Sequence, residues 1–98
     1  MTVQLGVTVN GVKISTDFFV QGFIDHTVSG MIEALEGTAK IKELNLSIDG
    51  DNVTIVLNGA EVTINAFVSK IIKNTVSGLV SSLKGVSEVN KLNIKVKR

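Results

Sequence analysis

The 98-residue chain has no cysteine, proline, tryptophan or tyrosine. The absence of cysteine excludes a disulfide framework, a thiolate metal site and a cysteine nucleophile. Because four phenylalanines are its only aromatic residues, the core must be filled mainly by valine, isoleucine and leucine. No apolar run approaches a membrane span. We therefore expect one water-soluble domain over residues 1–98, located in the cytoplasm and needing no metal or cofactor.

The sequence resembles itself when it is shifted by 48 positions. Asn10-Gly11 then aligns with Asn58-Gly59, and Thr-Val-Ser-Gly at 27–30 aligns with the same four residues at 75–78. These matches fall where turns, helix faces and helix ends restrict the choice of residue. We predict two halves with the same local fold, residues 1–49 and 50–98.

An alternating apolar pattern on both sides of each Asn-Gly pair predicts a β-hairpin at the start of each half. Val7 and Val9 precede the first pair, and Val12 and Ile14 follow it. Asn-Gly accepts the positive φ angles of a type I′ turn. The hairpin should therefore place Val9 opposite Val12 and Val7 opposite Ile14.

After each hairpin the apolar residues recur every three to four positions, which predicts one helix per half, the first near residues 18–36. Asp17 and Asn65 occupy N-cap positions, and Gly37 and Gly85 stand where the helices should end. The apolar stripes expected to be buried are Val20, Ile24, Val28, Met31, Ile32 and Leu35 in the first helix and Phe67, Val68, Ile71, Ile72, Val76, Leu79, Val80 and Leu83 in the second.

A last alternating strand closes each half, and every strand has one apolar and one largely polar face, with Val56 as the exception. The predicted fold class is α+β, with two tandem ββαβ repeats forming a mainly antiparallel six-stranded sheet and two helices packed on one face. The handedness of crossovers favours placing the last strand of each half parallel to the second and beside the first. The alternative is a continuous meander of the third, fourth and fifth strands.

Small residues lie along one flank of each predicted helix. They predict a close approach of the two helices or, as the alternative, a kink at the glycine in mid-helix. These residues are Thr27, Gly30 and Ala34 in the first helix and Thr75, Gly78 and Ser82 in the second.

The one histidine suggests a catalytic triad that helical geometry disfavours. His26 follows Asp25 and precedes Ser29 by three positions. Adjacent residues diverge on a helix, and the second half has Asn74 at the equivalent position. We therefore predict that the chain is not an enzyme.

The turn at residues 49–52 has too few oxygen ligands for a calcium loop.

Charge is distributed unevenly between the halves. Residues 1–49 carry three lysines and six acidic residues, whereas residues 50–98 carry seven basic and three acidic residues. Such a division could be a merely solvated surface or could promote association with a charged partner. The candidate interaction residues are Asp25, Glu33 and Glu36 on the first helix, Lys70, Lys73 and Lys84 on or near the second, and Lys91, Lys95 and Lys97 on the last strand.

These features favour a non-enzymatic interaction or assembly module. It would either self-associate as a homodimer through its acidic and basic halves or bind an acidic protein partner. Nucleic-acid binding through the basic second half is less favoured, because we expect no exposed aromatic residues to stack on bases. A carrier of an apolar small ligand is a further alternative. The near-duplicate halves, the ideal turns and the absence of proline also fit a designed or reconstructed protein with no function.

Overall fold

A computed structural model gives the chain an α+β fold with two helices and one antiparallel six-stranded sheet. The structure describes residues 4–36, 40–83 and 88–98. The elements are β1 (Gln4–Val9), β2 (Val12–Ile14), α1 (Phe18–Glu36), β3 (Glu43–Asp49), β4 (Asn52–Leu57), β5 (Ala60–Glu61), α2 (Ala66–Ser81) and β6 (Lys91–Lys97). Neither helix, within the described ranges, is long and apolar enough to cross a membrane.

Strand β6 lies inside the sheet, between β1 and β3. The strand order is β2-β1-β6-β3-β4-β5, and each neighbouring pair is antiparallel. Strand β3 is therefore separated from β1 and runs antiparallel to β2, so the expectation that it lies beside β1 and parallel to β2 is wrong. The alternative meander of β3, β4 and β5 is what the sheet contains.

The short connection after β3 accounts for the meander. Residues 50–51 alone separate β3 from β4, and Asp49 pairs with Asn52. A two-residue connection can join only antiparallel neighbours. Strand β4 therefore occupies one edge of β3, just as β2 occupies one edge of β1 through its own tight turn. The two remaining edges both pair with β6.

Both predicted hairpins are confirmed, including the conformation of their turns. Asn10 and Gly11 have φ angles of 51° and 80°, and Asn58 and Gly59 have φ angles of 51° and 85°. Two consecutive positive φ angles are the signature of a type I′ turn. The strands of the first hairpin pair in the predicted register, with Val9 opposite Val12.

The side chain of Asn10 also holds the segment that leads into β6. Its Oδ1 atom accepts hydrogen bonds from the backbone N–H groups of Asn90 and Lys91, both at 2.9 Å, and its Nδ2 donates to the carbonyl oxygen of Glu88 at 2.8 Å. We call this set of three bonds the Asn10 clamp. It joins the turn of β1 and β2 to a segment about 80 residues further along the chain.

Asn58 makes the same three bonds to the segment that leads into β3, which we call the Asn58 clamp. Its Oδ1 accepts from the backbone N–H groups of Lys42 and Glu43 at 2.8 and 3.0 Å, and its Nδ2 donates to the carbonyl oxygen of Lys40 at 2.7 Å. An amide side chain with both a donor and an acceptor is needed for the full set. Asparagine is therefore required in both turns for these three hydrogen bonds as well as for its tolerance of a positive φ angle.

One hydrophobic core joins the strands to both helices. The strands bury alternate residues, and these lie side by side on one face of the sheet. From the helices the core receives Ile24, Val28 and Ile32 of α1 and Ile72, Val76 and Val80 of α2. The Cα atoms extend over 34 × 34 × 18 Å, so the molecule is a flat slab.

The predicted N-caps are confirmed. The Oδ1 atoms of Asp17 and Asn65 each accept a hydrogen bond, at 2.8 Å, from the backbone N–H three residues later, which satisfies a free donor of the first turn. The helix α2 ends at Ser81, ahead of the predicted end. Gly37 and Gly85, the predicted terminating residues, lie outside the described residues.

The prediction that small residues let the helices pack closely is not borne out at Gly30, Ala34 and Gly78. A Cβ atom added to Gly30 or Gly78 would meet nothing within 4 Å, and Ala34 is exposed. The buried stripe of α1 runs through Ile24 and Val28 instead, whereas Gly30, Ala34 and Gly78 are exposed. Both helices continue through their glycines without interruption.

Replacing Asn10 by glycine should destabilise the protein even though glycine suits a positive φ angle. The substitution keeps the turn and removes all three bonds of the clamp, and we expect the free energy of unfolding to fall by about 1–2 kcal/mol. Urea denaturation measures this difference. Asn10→Asp keeps the acceptor and should lose less; a glycine variant as stable as the parent would show that the clamp contributes nothing.

Replacing Gly30 or Gly78 by alanine should stabilise the protein. Alanine is favoured over glycine inside a helix by about 1 kcal/mol, and nothing stands in the way of the added methyl group. Thermal unfolding of each variant checks this. Gly59→Ala is the matched control and should destabilise, because that glycine has a φ angle of 85°. Loss of stability in the helix variants would contradict the open surroundings of these glycines.

Candidate functional site

All four phenylalanines of the chain are exposed, in contrast to the expectation that exposed aromatic residues are lacking. The exposed fractions are 93% for Phe18, 73% for Phe19, 52% for Phe23 and 71% for Phe67. The prediction that Phe67 and Ile71 are buried is wrong, because Ile71 is 45% exposed as well. Each of these two residues lies one position before a core-facing position of α2. Because one residue turns a helix by about 100°, their side chains point away from the core.

Three of these rings form what we call the phenylalanine surface, which consists of Phe18, Phe19 and Phe23 around Gly22. The rings of Phe19 and Phe23 lie 6.0 Å apart with an interplanar angle of 46°. Together with His26 and Thr27 the four residues line an open groove of about 590 Å³. A Cβ atom at Gly22 would meet nothing within 4 Å, so the glycine leaves a hollow between the rings.

The local sequence explains why these rings face outward. Asp17 caps α1, which sets where its first turn begins. The core-facing stripe then runs through Ile24 and Val28, so rings one position before that stripe point away from it. This signal was present in the sequence, since the predicted stripe of α1 omits Phe18, Phe19 and Phe23.

Asp25, a predicted interaction residue, is mostly buried and already has a partner. Its Oδ1 accepts from the guanidinium of Arg98 at 2.7 Å and from the hydroxyl of Ser29 at 3.2 Å, and Arg98 also donates to the Ser29 oxygen at 3.0 Å. The hydroxyl of Ser29 thus donates to Asp25 rather than to the exposed His26. The three residues of the conceivable triad are not arranged for nucleophilic catalysis.

The other predicted interaction residues are found in three settings. Lys73 forms an ion pair with Asp51, and Lys97 lies 3.8 Å from Glu43. Glu33 and Lys70 are exposed on the helices, and Lys91, Lys95 and Lys97 are exposed along β6. Glu36 is the last residue of α1, and Lys84 lies outside the described residues.

The ion pair of Lys73 and Asp51 makes a pH-dependent contribution. The hydrogen bond from Lys73 and the positive charge of its ammonium group lower the pKa of Asp51 below the ordinary value of 3.8. Because the pKa is lower in the folded state, this pair stabilises the fold above the ordinary pKa and loses its effect as the pH falls through the folded-state pKa. Asp51 is almost fully exposed, so solvent screens the pair.

The polar side of the sheet forms a second surface, which we call the open face. Its residues are cross-strand neighbours, and none of them is buried. At its centre Asn93 donates from Nδ2 to Oδ1 of Asn45 at 2.6 Å and to the hydroxyl of Ser47 at 2.8 Å. The open face consists of Gln4, Gly6, Thr8, Lys13, Glu43, Asn45, Ser47, Asp49, Asn52, Thr54, Val56, Glu61, Lys91, Asn93, Lys95 and Lys97.

The open face is divided by charge along its midline. Its basic residues lie on β2 and β6, and its acidic residues lie on β3 and β5, so the boundary runs between β6 and β3. This division could not be found from the sequence, because it depends on the strand order. The basic residues are Lys13, Lys91, Lys95 and Lys97, and the acidic residues are Glu43, Asp49 and Glu61.

A scan of protein-family models, a search of curated proteins and a search of solved structures found no match to this chain. Within the described residues, no three histidine, aspartate or glutamate side chains come together as a possible metal site. The phenylalanine surface and the open face are the two candidate sites among the described residues.

Removing the charge of Asp25 should cost more stability than removing the charge of Asp51. Asp25 and Arg98 are only 12% and 24% exposed at their side chains, so Asp25→Asn leaves a largely desolvated guanidinium without its anion. We expect a loss of about 1–3 kcal/mol. Asp51→Asn should cause no measurable change in urea denaturation at pH 7. Equal losses in the two variants would contradict the difference in burial.

Proposed function

We propose that this chain is a non-enzymatic assembly module whose copies associate through the phenylalanine surface. The exposure of three phenylalanines on one side of a single helix carries the proposal. Their exposed aromatic area is on the order of 400 Å², which is comparable to the largest apolar patch of a typical monomeric protein. Patches of this kind commonly mark interaction sites.

A second copy of the chain is the occupant that the surface favours. Residues 18–24 carry no charged side chain, so two copies can meet there without electrostatic repulsion. In a two-fold dimer the same surface serves both partners, and each must offer a projection and a recess. A phenylalanine ring supplies the projection, and the hollow at Gly22 supplies the recess.

Two observations support association over catalysis or nucleic-acid binding. The hydroxyl of Ser29 and the carboxylate of Asp25 are occupied by each other and by Arg98, which leaves no activated nucleophile at the one histidine. No lysine or arginine occurs in α1, whereas base-stacking surfaces combine aromatic rings with basic residues that neutralise phosphates.

We also propose that the two halves are copies of one ββαβ unit whose last strands have been exchanged. Replacing each residue by its equivalent in the other half turns the pair Val9–Leu92 into the pair Leu57–Leu44. The clamps of Asn10 and Asn58 are related in the same way. The common core of helices and buried strand residues supports placement of both helices on one face of the sheet.

Sedimentation in about 1 M NaCl tests the proposed association, because the Debye length there is about 3 Å and charge-driven contacts are screened. We expect the parent to associate with increasing concentration and Phe19→Ser/Phe23→Ser to stay monomeric. The double variant should keep its unfolding free energy to within about 1 kcal/mol, since both rings are exposed. Phe67→Ser is the matched control and should associate like the parent.

Three results would overturn the proposal. The parent could remain monomeric in high salt at every concentration, or the double variant could associate as the parent does. Native mass spectrometry could instead reveal an apolar small molecule bound to a monomer, which would favour the ligand-carrier alternative. The first of these results, if it came with association at low salt, would point to the charged surfaces instead of the phenylalanine surface.

A further inference from the structure

The open face carries two cross-strand charge pairs of the same polarity. Glu43 lies opposite Lys97, with 3.8 Å between carboxylate oxygen and ammonium nitrogen, and Asp49 lies opposite Lys91. In both pairs the acidic residue is on β3 and the basic residue is on β6. The pairs stand near opposite ends of the two central strands, so the same polarity is kept along the whole midline.

This polarity permits one of the two ways in which the open face can meet its own copy. A two-fold axis parallel to the strands, between β6 and β3, places Lys97 of one copy over Glu43 of the other, and Lys91 over Asp49. A two-fold axis that also lies between the two facing sheets, but runs perpendicular to the strands, places basic residues over basic residues and acidic residues over acidic residues. We infer that two copies associate face to face through their open faces about the axis parallel to the strands.

The shape of the open face satisfies the same operation. Gly6, Lys95, Asn45 and Val56 form one row across β1, β6, β3 and β4. Gly6 and Val56 are therefore equally far from the midline on opposite sides. The axis parallel to the strands places Val56 of each copy over Gly6 of the other, where an added Cβ atom would meet nothing within 4 Å. Among the described residues of this face, Val56 is the one apolar side chain and Gly6 the one glycine, so the two meet in the dimer.

The dimensions fit a small and salt-sensitive interface. Strands about 4.8 Å apart and about 20 Å long give this face an area on the order of 500 Å² per copy, which is close to the lower limit for a specific dimer. Facing sheets pack about 10 Å apart with their strands within about 30° of one another, which an axis parallel to the strands allows. The half-buried Asn45, Ser47 and Asn93 supply polar groups at its centre.

This dimer uses another surface than the proposed assembly and responds to salt in the opposite sense. The test therefore starts from Phe19→Ser/Phe23→Ser, in which the phenylalanine surface is removed. Sedimentation velocity at low ionic strength should show this parent variant as a dimer that dissociates as salt is added. Failure here leaves the high-salt association untouched, so the two proposals fail separately.

Charge reversal in this background tests whether opposite charges hold the two open faces together. One variant carries Lys91→Glu/Lys97→Glu, and the other carries Glu43→Lys/Asp49→Lys. Each alone should dimerise more weakly by on the order of 100-fold, because like charges then face each other. An equimolar mixture should form a heterodimer, since the acidic variant then faces the basic one. Glu33→Lys, which reverses an exposed charge on α1, is the control and should leave dimerisation unchanged.

A shape variant makes the test independent of charge. Gly6→Val fills the recess in a strand where the glycine has no positive φ angle, so folding should not suffer, and it should weaken the dimer about tenfold. A monomer at low ionic strength up to millimolar concentration would overturn the inference. So would two reversed variants that dimerise as the parent does, or a mixture that forms no heterodimer.

Discussion

The fold depends on the insertion of β6 between β1 and β3. Without this strand the sheet would separate into a two-stranded and a three-stranded piece, and neither would retain a continuous core face. The pairing joins β1 to residues more than 80 positions away, as in Val9 with Leu92, so its loop-closure entropy must be offset by long-range contacts. The two asparagine clamps act at this point, because each fixes the segment through which a central strand begins.

The same insertion changes the meaning of the uneven charge. An acidic first half and a basic second half suggest two opposed regions, yet the central strands of the two halves lie side by side. Lys97 therefore faces Glu43, and Arg98 reaches Asp25 of the other half. Part of the asymmetry is neutralised within one molecule. The charge that is not neutralised forms the division of the open face, in which residues from both halves of the sequence take part.

Local features of the fold could be predicted from the sequence, whereas the arrangement of strands could not. The Asn-Gly turns, the caps at Asp17 and Asn65 and the bounds of α1 each follow from neighbouring residues. The strand order depends on which edges remain free after the hairpins form, and a helical crossover leaves that choice open. The phenylalanine surface was readable in principle, since its rings lie off the apolar stripe. The charge division of the open face required the strand order first.

The clamps have a chemical consequence as well as a mechanical one. In an Asn-Gly sequence the backbone nitrogen of glycine can attack the side-chain carbonyl of asparagine, which releases ammonia and forms a cyclic imide. Water then opens this imide to aspartate or isoaspartate, and asparagine is counted among the thermolabile residues. The amide of Asn10 is held by three hydrogen bonds to another segment, so it is restrained from this reaction while the strand stays docked. When the strand undocks, the Asn10 side chain is free to react. The aspartate or isoaspartate that forms lacks the Nδ2 donor that faced the carbonyl oxygen of Glu88. The rate at which Asn10 is deamidated is thus coupled to how often this segment separates from the sheet.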